Sequence, residues 1–302
     1  MVDENVVSNQ IVRVRIGDVC CSITCPDERT ADYINQRYVK FLSKKPADIR
    51  IKLDTVKRFS PRYLESLPPS LKHLKWGDQV AAICRVDGAG SSAPPLCINI
   101  TVERYQLTTR YEYKIMNTLL PVAYYTVQRR TYPDQLPAMV LHACGIIRNG
   151  RIIIFTGPSE TGKTTIARFC GSEHGSLVND EMLLLSGTGT STGEYRAQGI
   201  PIIGGVPHHS SETAPPACVM MLKQAPRTAI RPLDRVEAYL RFIRQIIAPR
   251  ELTRLDDDIK VILSETTRFA DEFTKSVPFF ELEFALDKEA LWQAIEEIEE
   301  II

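Results

Sequence analysis

One glycine-bounded segment constrains the fold of this chain more than any other: Gly157-Pro158-Ser159-Glu160-Thr161-Gly162-Lys163-Thr164. The apolar run Ile152–Phe155 precedes it, and the helix-like segment Thr164–Cys170 follows it. A glycine, four residues and then Gly-Lys-Thr, placed between a strand and a helix, is the pattern of a phosphate-binding loop. The sequence therefore predicts a strand, a loop and a helix in that order, with a loop suited to surround phosphate groups.

Each part of this pattern has a chemical role. Glycines let backbone N–H groups close around phosphate oxygens, and the N-terminus of the following helix adds partial positive charge. We expect Lys163 to reach the β- and γ-phosphates of ATP and the hydroxyl of Thr164 to bind Mg²⁺. The residues predicted to contact the nucleotide are Gly157, Ser159, Glu160, Thr161, Gly162, Lys163, Thr164 and Thr165.

The charge balance of the chain limits its partners. Its 302 residues include 37 Lys and Arg against 37 Asp and Glu, so a broad attraction to nucleic acid or to a membrane is not expected. The first residues lack the basic and apolar regions of a signal peptide, and no apolar run approaches the roughly 18–20 residues that span a bilayer. We therefore expect a cytoplasmic protein with no nucleic-acid or membrane partner.

The patterns along the chain predict an α/β protein of two domains, a small α+β domain over residues 1–125 and a mixed-sheet ATP-binding domain over residues 126–302. In the first domain, alternating apolar residues favour strands, apolar residues at helical spacing favour helices, and a Gly/Ser/Pro-rich stretch favours a loop. The predicted segments are strands at Ile11–Ile16 and Cys97–Thr101, helices at Ala31–Leu42 and Arg110–Thr126, and a loop at Gly88–Pro95.

In the second domain, strand-like runs alternate with amphipathic segments. Asn149-Gly150 separates two of the runs, and this dipeptide is a strong signal for a two-residue hairpin because both turn residues need positive φ. A hairpin that leads into the phosphate loop makes the sheet mixed rather than all parallel. The predicted strands are Met139–Arg148, Arg151–Thr156, Ser176–Leu185, Ala217–Lys223 and Val277–Ala285, and the predicted helices are Leu233–Ile247 and Asp287–Ile302.

The hairpin register predicts a histidine at the phosphate loop. With Asn149-Gly150 as the turn, Arg148 faces Arg151, and counting along both strands brings His142 opposite Gly157. Facing residues of antiparallel strands lie about 5 Å apart and point to the same side of the sheet. We therefore expect the imidazole of His142 at the phosphate site, whereas the alternative is a histidine satisfied within the core.

Asp180 and Glu181 are the predicted acidic residues of the site. They interrupt an otherwise apolar strand, and buried carboxylates are costly unless a cation or hydrogen bonds compensate them. One acid is expected to bind Mg²⁺, for which we favour Asp180, and the other to act as the base toward an acceptor hydroxyl, for which we favour Glu181. Since neighbouring strand residues point to opposite faces, the two acids would divide these roles, unless they only mark a strand end at the surface.

Two further groups are weaker candidates for metal binding. Cys20, Cys21 and Cys25 lie close together, but no second cysteine pair or histidine cluster accompanies them. A reducing compartment would leave these cysteines as buried thiols. His208 and His209 are more typical of a polar loop than of a ligand pair.

The His142 segment, the hairpin, Gly157–Thr165 and the run Val178-Asn179-Asp180-Glu181 together resemble the HPr kinase/phosphorylase-related family. The resemblance implies a fold like that of ATP-dependent phosphoenolpyruvate carboxykinase, and it extends through Gly199–Gly204 to the terminal strand and helix. The family's histidine corresponds to His142 and its acidic pair to Asp180 and Glu181, although the second family acid is an aspartate. The first domain looks more like that of relatives in peptide-modification gene clusters, including kinases of lasso-peptide precursors.

Three functions are compatible with these residues. The favoured one is an ATP- and Mg²⁺-dependent kinase acting on a hydroxyl, serine above all, of a peptide or protein such as a ribosomal precursor peptide. The alternatives are a small-molecule kinase of the same fold and a non-catalytic nucleotide-binding regulator. A translation-type GTPase is disfavoured because no Asn-Lys-x-Asp motif is present. The resemblance also implies that a homo-oligomer is one expected state, because family relatives form rings.

Overall fold

The computed structural model describes residues 10–66, 72–76, 79–87, 96–103, 124, 127–128, 135, 138–187, 194–202, 204–207, 209–247 and 259–300. Contacts between residues divide the chain near residue 131 into two compact units, here called the N-terminal and the C-terminal unit. The predicted loop Gly88–Pro95, nearly all of the predicted helix Arg110–Thr126, and His208 lie outside the described residues.

The N-terminal unit contains one six-stranded sheet in the order β1-β2-β3-β6-β5-β4. The pairs β2–β3 and β3–β6 are parallel, and the other pairs are antiparallel. Its strands are β1 (Gln10–Ile16), β2 (Val19–Cys25), β3 (Ile49–Val56), β4 (Lys72–Trp76), β5 (Gln79–Asp87) and β6 (Leu96–Glu103). Strands β1 and β6 include the two strands that the sequence predicts in this region.

The helix predicted over Ala31–Leu42 is shorter and begins earlier. Helix α1 covers Glu28–Arg37 and begins where the side chain of Asp27 accepts a hydrogen bond from the backbone N–H of Thr30. A 3₁₀ turn at Val39–Phe41 follows it. A short helix, α2, covers Pro61–Glu65.

The C-terminal unit contains a mixed nine-stranded sheet in the order β12-β11-β10-β7-β8-β13-β15-β14, with β9 beside β7. Strands β8, β13 and β15 are parallel to one another, while β7 and β8 form an antiparallel hairpin. Its strands are β7 (Met139–Arg148), β8 (Arg151–Thr156), β9 (Ser176–Asn179), β10 (Met182–Gly187), β11 (Tyr195–Gly199), β12 (Thr213–Ala214), β13 (Pro216–Gln224), β14 (Ala229–Pro232) and β15 (Phe279–Phe284). The prediction of an α/β fold with a mixed sheet is confirmed.

Four described helices belong to the C-terminal unit. They are α3 (Lys163–Phe169), α4 (Arg235–Phe242), α5 (Ile259–Ser276) and α6 (Lys288–Glu299). Helix α4 is shorter than the predicted Leu233–Ile247, because a turn follows Phe242 and Ile246 then pairs with Leu141 of the sheet. Within the described residues, no helix has the length and apolar character needed to cross a membrane.

Apolar side chains cover both faces of this sheet. Phe155 and Leu282 share one buried cluster with Ile166 of α3 and Trp292 of α6. A set of packed aromatic rings lies among α4, α5, β11 and β15 and comprises Phe242, Phe269, Phe273, Phe279 and Tyr195. These contacts fix the parallel strands β8, β13 and β15 so that their carboxyl ends share one edge, and the segment Gly157–Thr164 leaves β8 at that edge.

Candidate functional site

The hairpin before the loop has the predicted register. Asn149 and Gly150 both have positive φ, at 50° and 74°, as a tight two-residue turn requires. Pairing runs from Arg148 with Arg151 to Ala143 with Thr156 without a bulge. The turn chemistry of two residues thus fixes which residues of β7 lie near the start of the loop.

The expected pairing of His142 with Gly157 is wrong, because the strand pairing ends one residue pair earlier, at Ala143 and Thr156. The ladder ends at Thr156, whose hydroxyl donates to the carbonyl of His142 at 2.7 Å. Beyond that point β8 gives way to the loop, and the backbone N–H of His142 donates to the carbonyl of Gln245 at 3.0 Å. A segment that is distant in sequence takes the place that Gly157 would have had in a longer strand.

The loop closes around the ammonium group of Lys163. Its Nζ donates to the carbonyls of Gly157 and Pro158 at 2.8 and 2.9 Å, and the side chain is buried. Burial lowers the pKa of Lys163, and nearby Glu181 opposes this shift. The lysine is therefore a desolvated cation held by weak neutral acceptors, which an anionic ligand would replace favourably.

The glycine before Lys163 is required by both conformation and space. Gly162 has a φ of 109°, and a Cβ on it would lie 2.3 Å from the ring of Phe284. The rest of the loop is open to a ligand, since Ser159 and Glu160 are exposed and Thr161, Thr164 and Thr165 are half-buried. The structure thus brings all of the predicted loop residues into one loop and the first turn of α3.

The strand predicted over Ser176–Leu185 is broken at the two acids. The side-chain Oδ1 of Asn179 accepts hydrogen bonds from the backbone N–H groups of Glu181 at 2.8 Å and Met182 at 3.0 Å, which bends the chain between β9 and β10. The expectation that Asp180 and Glu181 point to opposite faces of a strand is therefore wrong. Both acids lie in a bend, and each interacts electrostatically with groups of the loop or of α3.

One carboxylate oxygen of Asp180 accepts hydrogen bonds, and the other accepts none from the described residues. Its Oδ2 accepts from the backbone N–H groups of Gly205 at 3.0 Å and Val206 at 3.2 Å, and the carboxylate also interacts with the hydroxyl of Thr164. Its Oδ1 is buried and has no hydrogen-bond partner among the described residues. Burial is the largest cause that raises the pKa of Asp180.

Two glycines that sequence reasoning did not assign to the site make this packing possible. A Cβ on Gly204 would lie 2.3 Å from Oδ1 of Asp180, and one on Gly205 would lie 2.7 Å from Cγ2 of Thr164. Any larger residue would therefore displace the carboxylate or the threonine. The adjacent glycines are the signal in the sequence that could have indicated this close approach.

A carboxylate that interacts with a threonine hydroxyl and has one unpartnered oxygen fits a magnesium ion. Mg²⁺ prefers oxygen ligands and is usually held by one or two protein groups together with waters and substrate phosphates. Asp180 and Thr164 supply such a set, and their neighbour Lys163 supplies positive charge for phosphate. Within the described ranges, no cluster of three or more His, Cys, Asp or Glu side chains suggests a different, fully protein-ligated metal.

His142 and Glu181 lie together beside Lys163. The Nε2 atom of His142 is 3.8 Å from Oε1 of Glu181, and the two side chains are 25% and 30% exposed. Burial, with a contribution from Lys163, lowers the pKa of His142 to about 4, so the imidazole is neutral at pH 7. Burial and the charge of Asp180 raise the pKa of Glu181, which makes it a stronger base than a solvated glutamate.

The cysteine group of the N-terminal unit is a set of core side chains. Cys20, Cys21 and Cys25 are free and buried, as the sequence predicts. Burial raises the pKa of the Cys25 thiol to about 12 and that of Cys21 still higher. Cys21 and Cys25 are therefore protonated core thiols at neutral pH.

Comparison with known proteins identifies a family that this chain matches. A family model described as "SynChlorMet cassette protein ScmC" matches residues 106–300, well over half of the chain. The chain belongs to the ScmC family. The matched range contains His142, the loop and both acids, so the whole candidate site lies within the part that defines ScmC proteins. No curated protein matches the chain.

Proposed function

We propose that this ScmC-family protein is an ATP- and Mg²⁺-dependent kinase that transfers the γ-phosphoryl group to a hydroxyl, with a serine of a peptide or protein as the favoured acceptor. The observation that carries the proposal is the carboxylate of Asp180, which interacts with the hydroxyl of Thr164 and whose buried Oδ1 has no hydrogen-bond partner among the described residues, next to the loop that encloses Lys163. A cation between Asp180 and Thr164 and an anion on Lys163 would remove the cost of burying these groups.

The proposed chemistry needs only groups that converge at this edge of the sheet. Bound Mg²⁺ would neutralise charge on the β- and γ-phosphates, and Asp180 and Thr164 would hold it. Glu181 would accept the proton of the acceptor hydroxyl, whose oxygen forms the new bond to the γ-phosphorus as the bond to the bridging oxygen of ADP breaks. A non-catalytic regulator would have no need for a glutamate with a raised pKa beside a neutral imidazole, which favours an enzyme.

We also propose a specific fold type for the C-terminal unit. The strand, loop and α3, fed by an antiparallel hairpin, support a nucleotide-binding domain of the HPr kinase and phosphoenolpyruvate carboxykinase type. Because the family is described as a cassette protein, products of the same cassette are the first acceptors to examine.

Mass spectrometry tests the reaction directly. Candidate cassette peptides are incubated with the protein, ATP and MgCl₂, and a mass gain of one phosphoryl group located on a hydroxyl residue is the expected result. Reactions with EDTA in place of MgCl₂ serve as the control. A protein that binds no Mg·ATP and modifies none of these peptides would contradict the proposal.

Asp180→Asn is expected to separate activity from stability. Loss of the metal-binding carboxylate should lower Mg·ATP turnover on the order of 10²-fold or more. The unliganded variant should melt at a higher temperature at pH 7, because the folded-state pKa of Asp180 is raised and its ionised form therefore destabilises the fold at neutral pH. Calorimetric melting with and without Mg·ADP measures both effects.

The control for this variant is Asp271→Asn on the exposed surface of α5, which should leave turnover unchanged. Equal stabilisation of wild type and Asp180→Asn by Mg·ADP would show that Asp180 does not bind the metal.

His142→Ala is expected to lower turnover on the order of 10²–10³-fold, the usual cost of losing a group that stabilises charge in the transition state. Since the pKa of His142 is about 4, the imidazole is neutral throughout the range from pH 6 to 8, and the loss should not vary with pH there. Stopped-flow or coupled-assay pH profiles provide the measurement. His142→Gln, which retains a hydrogen-bonding amide, should recover part of the rate, and full activity of the alanine variant would assign His142 to the core.

A further inference from the structure

A cavity of about 360 Å³ lies beside the loop within the C-terminal unit. Pro158 of the loop, the carboxyl end of β13 at Lys223 and three arginines line it, the arginines being Arg231, Arg241 and Arg244. Among the described residues that line it, the only acid is Glu281 and none is aromatic. The lining therefore suits a polar anion better than the flat apolar face of a nucleotide base.

Two of the arginines have a structural role in the wall of the cavity. The carboxylate of Glu281, 5% exposed, accepts from Arg231 Nε at 2.8 Å and also from Arg241. Both guanidinium groups also bond Glu237. Glu281 and Glu237 thus fix the two cations in place and offset most of their charge. Lys223 is likewise paired, with Glu283.

Arg244 is different, because its guanidinium is exposed and forms no ion pair with any residue in the described part of the chain. Among the described residues that line the cavity, it is the basic residue whose charge no described acid offsets.

The position of Arg244 near the loop follows from the backbone pairing of the residues after it. Residues 245–247 extend the sheet beside β7, with His142 N–H donating to the carbonyl of Gln245 and Ile247 N–H donating to the carbonyl of Val140 at 2.8 Å. Leu141 and Ile246 form an antiparallel bridge between these bonds. This segment occupies the place that β8 leaves when the chain turns into the loop. Gln245 is bonded directly to the histidine of the site, and its neighbour Arg244 lines the same cavity as Pro158 of the loop.

We propose that Arg244 and this cavity bind a carboxylate of the phosphoryl acceptor while its hydroxyl faces the loop. This inference rests on the proposed kinase function and narrows its substrate class to hydroxyl acceptors that carry a nearby carboxylate. Two sources share that chemistry, the α-carboxylate of a free hydroxy amino acid and an acidic side chain next to the serine of a peptide.

The test compares acceptors that differ only in this charge. L-Serine is paired with L-serinamide, and serine peptides flanked by glutamate are paired with the same peptides flanked by glutamine. Transfer of radiolabelled phosphate from Mg·ATP gives kcat and KM for wild type, Arg244→Gln and the control Arg227→Gln, an exposed arginine outside the cavity lining. Mg·ATP affinity is measured in parallel by calorimetry.

Wild type should prefer the carboxylate member of one pair, and that pair identifies the source. Arg244→Gln should lose about tenfold or more of kcat/KM on that member, mainly through KM, as expected for a lost hydrogen-bonded charge pair. Arg227→Gln should match wild type.

Several outcomes would overturn the inference. Equal use of both members of each pair, a preference retained by Arg244→Gln, or no transfer to any carboxylate-bearing acceptor by a protein that turns over Mg·ATP would each do so while leaving the kinase proposal standing. A loss of Mg·ATP affinity in Arg244→Gln would assign the arginine to the nucleotide instead. A wild-type protein that fails to bind Mg·ATP would overturn the proposed function, and this inference with it.

Discussion

Lys163→Ala is expected to lower Mg·ATP turnover on the order of 10³-fold, the upper end of what one charge-stabilising donor supplies. Lys163 is buried, and within the described part of the chain its Nζ atom bonds the carbonyls of Gly157 and Pro158. Because burial lowers its pKa, the ammonium gains most when it meets phosphate, and that gain is absent from the alanine variant. Calorimetric titration with Mg·ATP and a steady-state assay measure affinity and rate.

The matched control is Lys288→Ala, an exposed lysine that pairs with Glu173 at the start of α6. It should leave affinity and rate unchanged, and far-UV circular dichroism of both variants should match wild type. Wild-type turnover in the Lys163→Ala protein would remove the phosphate-loop interpretation, and with it the roles proposed for Thr164 and Asp180.

Local sequence signals predicted the part of the fold that feeds the site. Asn149-Gly150 set the hairpin register because only a turn with two positive φ values joins the strands there. The pattern Gly157–Thr164 predicted a loop between a strand and a helix, and the structure has that order. In both cases a few neighbouring residues determine the backbone, so no long-range information is needed.

Other features of the site depend on contacts that no local pattern contains. The apolar run Ser176–Leu185 reads as one strand, yet the amide of Asn179 bonds forward to Glu181 and Met182 and across to the carbonyls of Ile200 and Ile202. Whether an asparagine closes such a bend depends on those distant carbonyls. The sheet extension at residues 245–247 is likewise set by a gap that exists only once β8 has turned into the loop.

Helix α5 was not predicted, although its sequence has the apolar spacing of an amphipathic helix. Ile262, Phe269, Ala270 and Phe273 are buried and recur at helical spacing along Ile259–Ser276. Its role is to close the sheet face behind the site through stacked rings, such as Phe242 on Phe273 at 5.0 Å. The helix stabilises the sheet through packing, and none of the proposed site residues lies on it.

The four ionisable groups of the site share one electrostatic property. Burial shifts each pKa toward the neutral form, downward for Lys163 and His142 and upward for Asp180 and Glu181. Without a ligand, the burial of these charged groups therefore lowers the stability of the folded protein. A bound cation with phosphates would offset this loss. The proposed function therefore predicts that Mg·ATP raises the stability of the fold, since a ligand that binds only the folded state stabilises it.

Glu181→Gln is expected to lower phosphoryl transfer by about 10²–10⁴-fold, the usual contribution of a general base, while Mg·ATP affinity stays within a few-fold of wild type. Glutamine has the same shape as glutamate and can keep its position beside Nε2 of His142, but it cannot act as a base. The raised pKa of Glu181 should also appear in the pH profile of the wild-type kcat, because the rate falls as pH drops through that pKa and the base becomes protonated.

The glutamine variant should lose this acidic limb of the profile, and Glu173→Gln, an exposed acid paired with Lys288, should retain it. Comparison with the metal-site variant separates the two acids, because Asp180→Asn should weaken the response to Mg²⁺ whereas Glu181→Gln should not. If Glu181→Gln instead showed wild-type kcat with an unchanged pH profile, the base would have to be another group. His142 is the nearest alternative, and a variant that lacks both side chains would then show whether the imidazole accepts the proton.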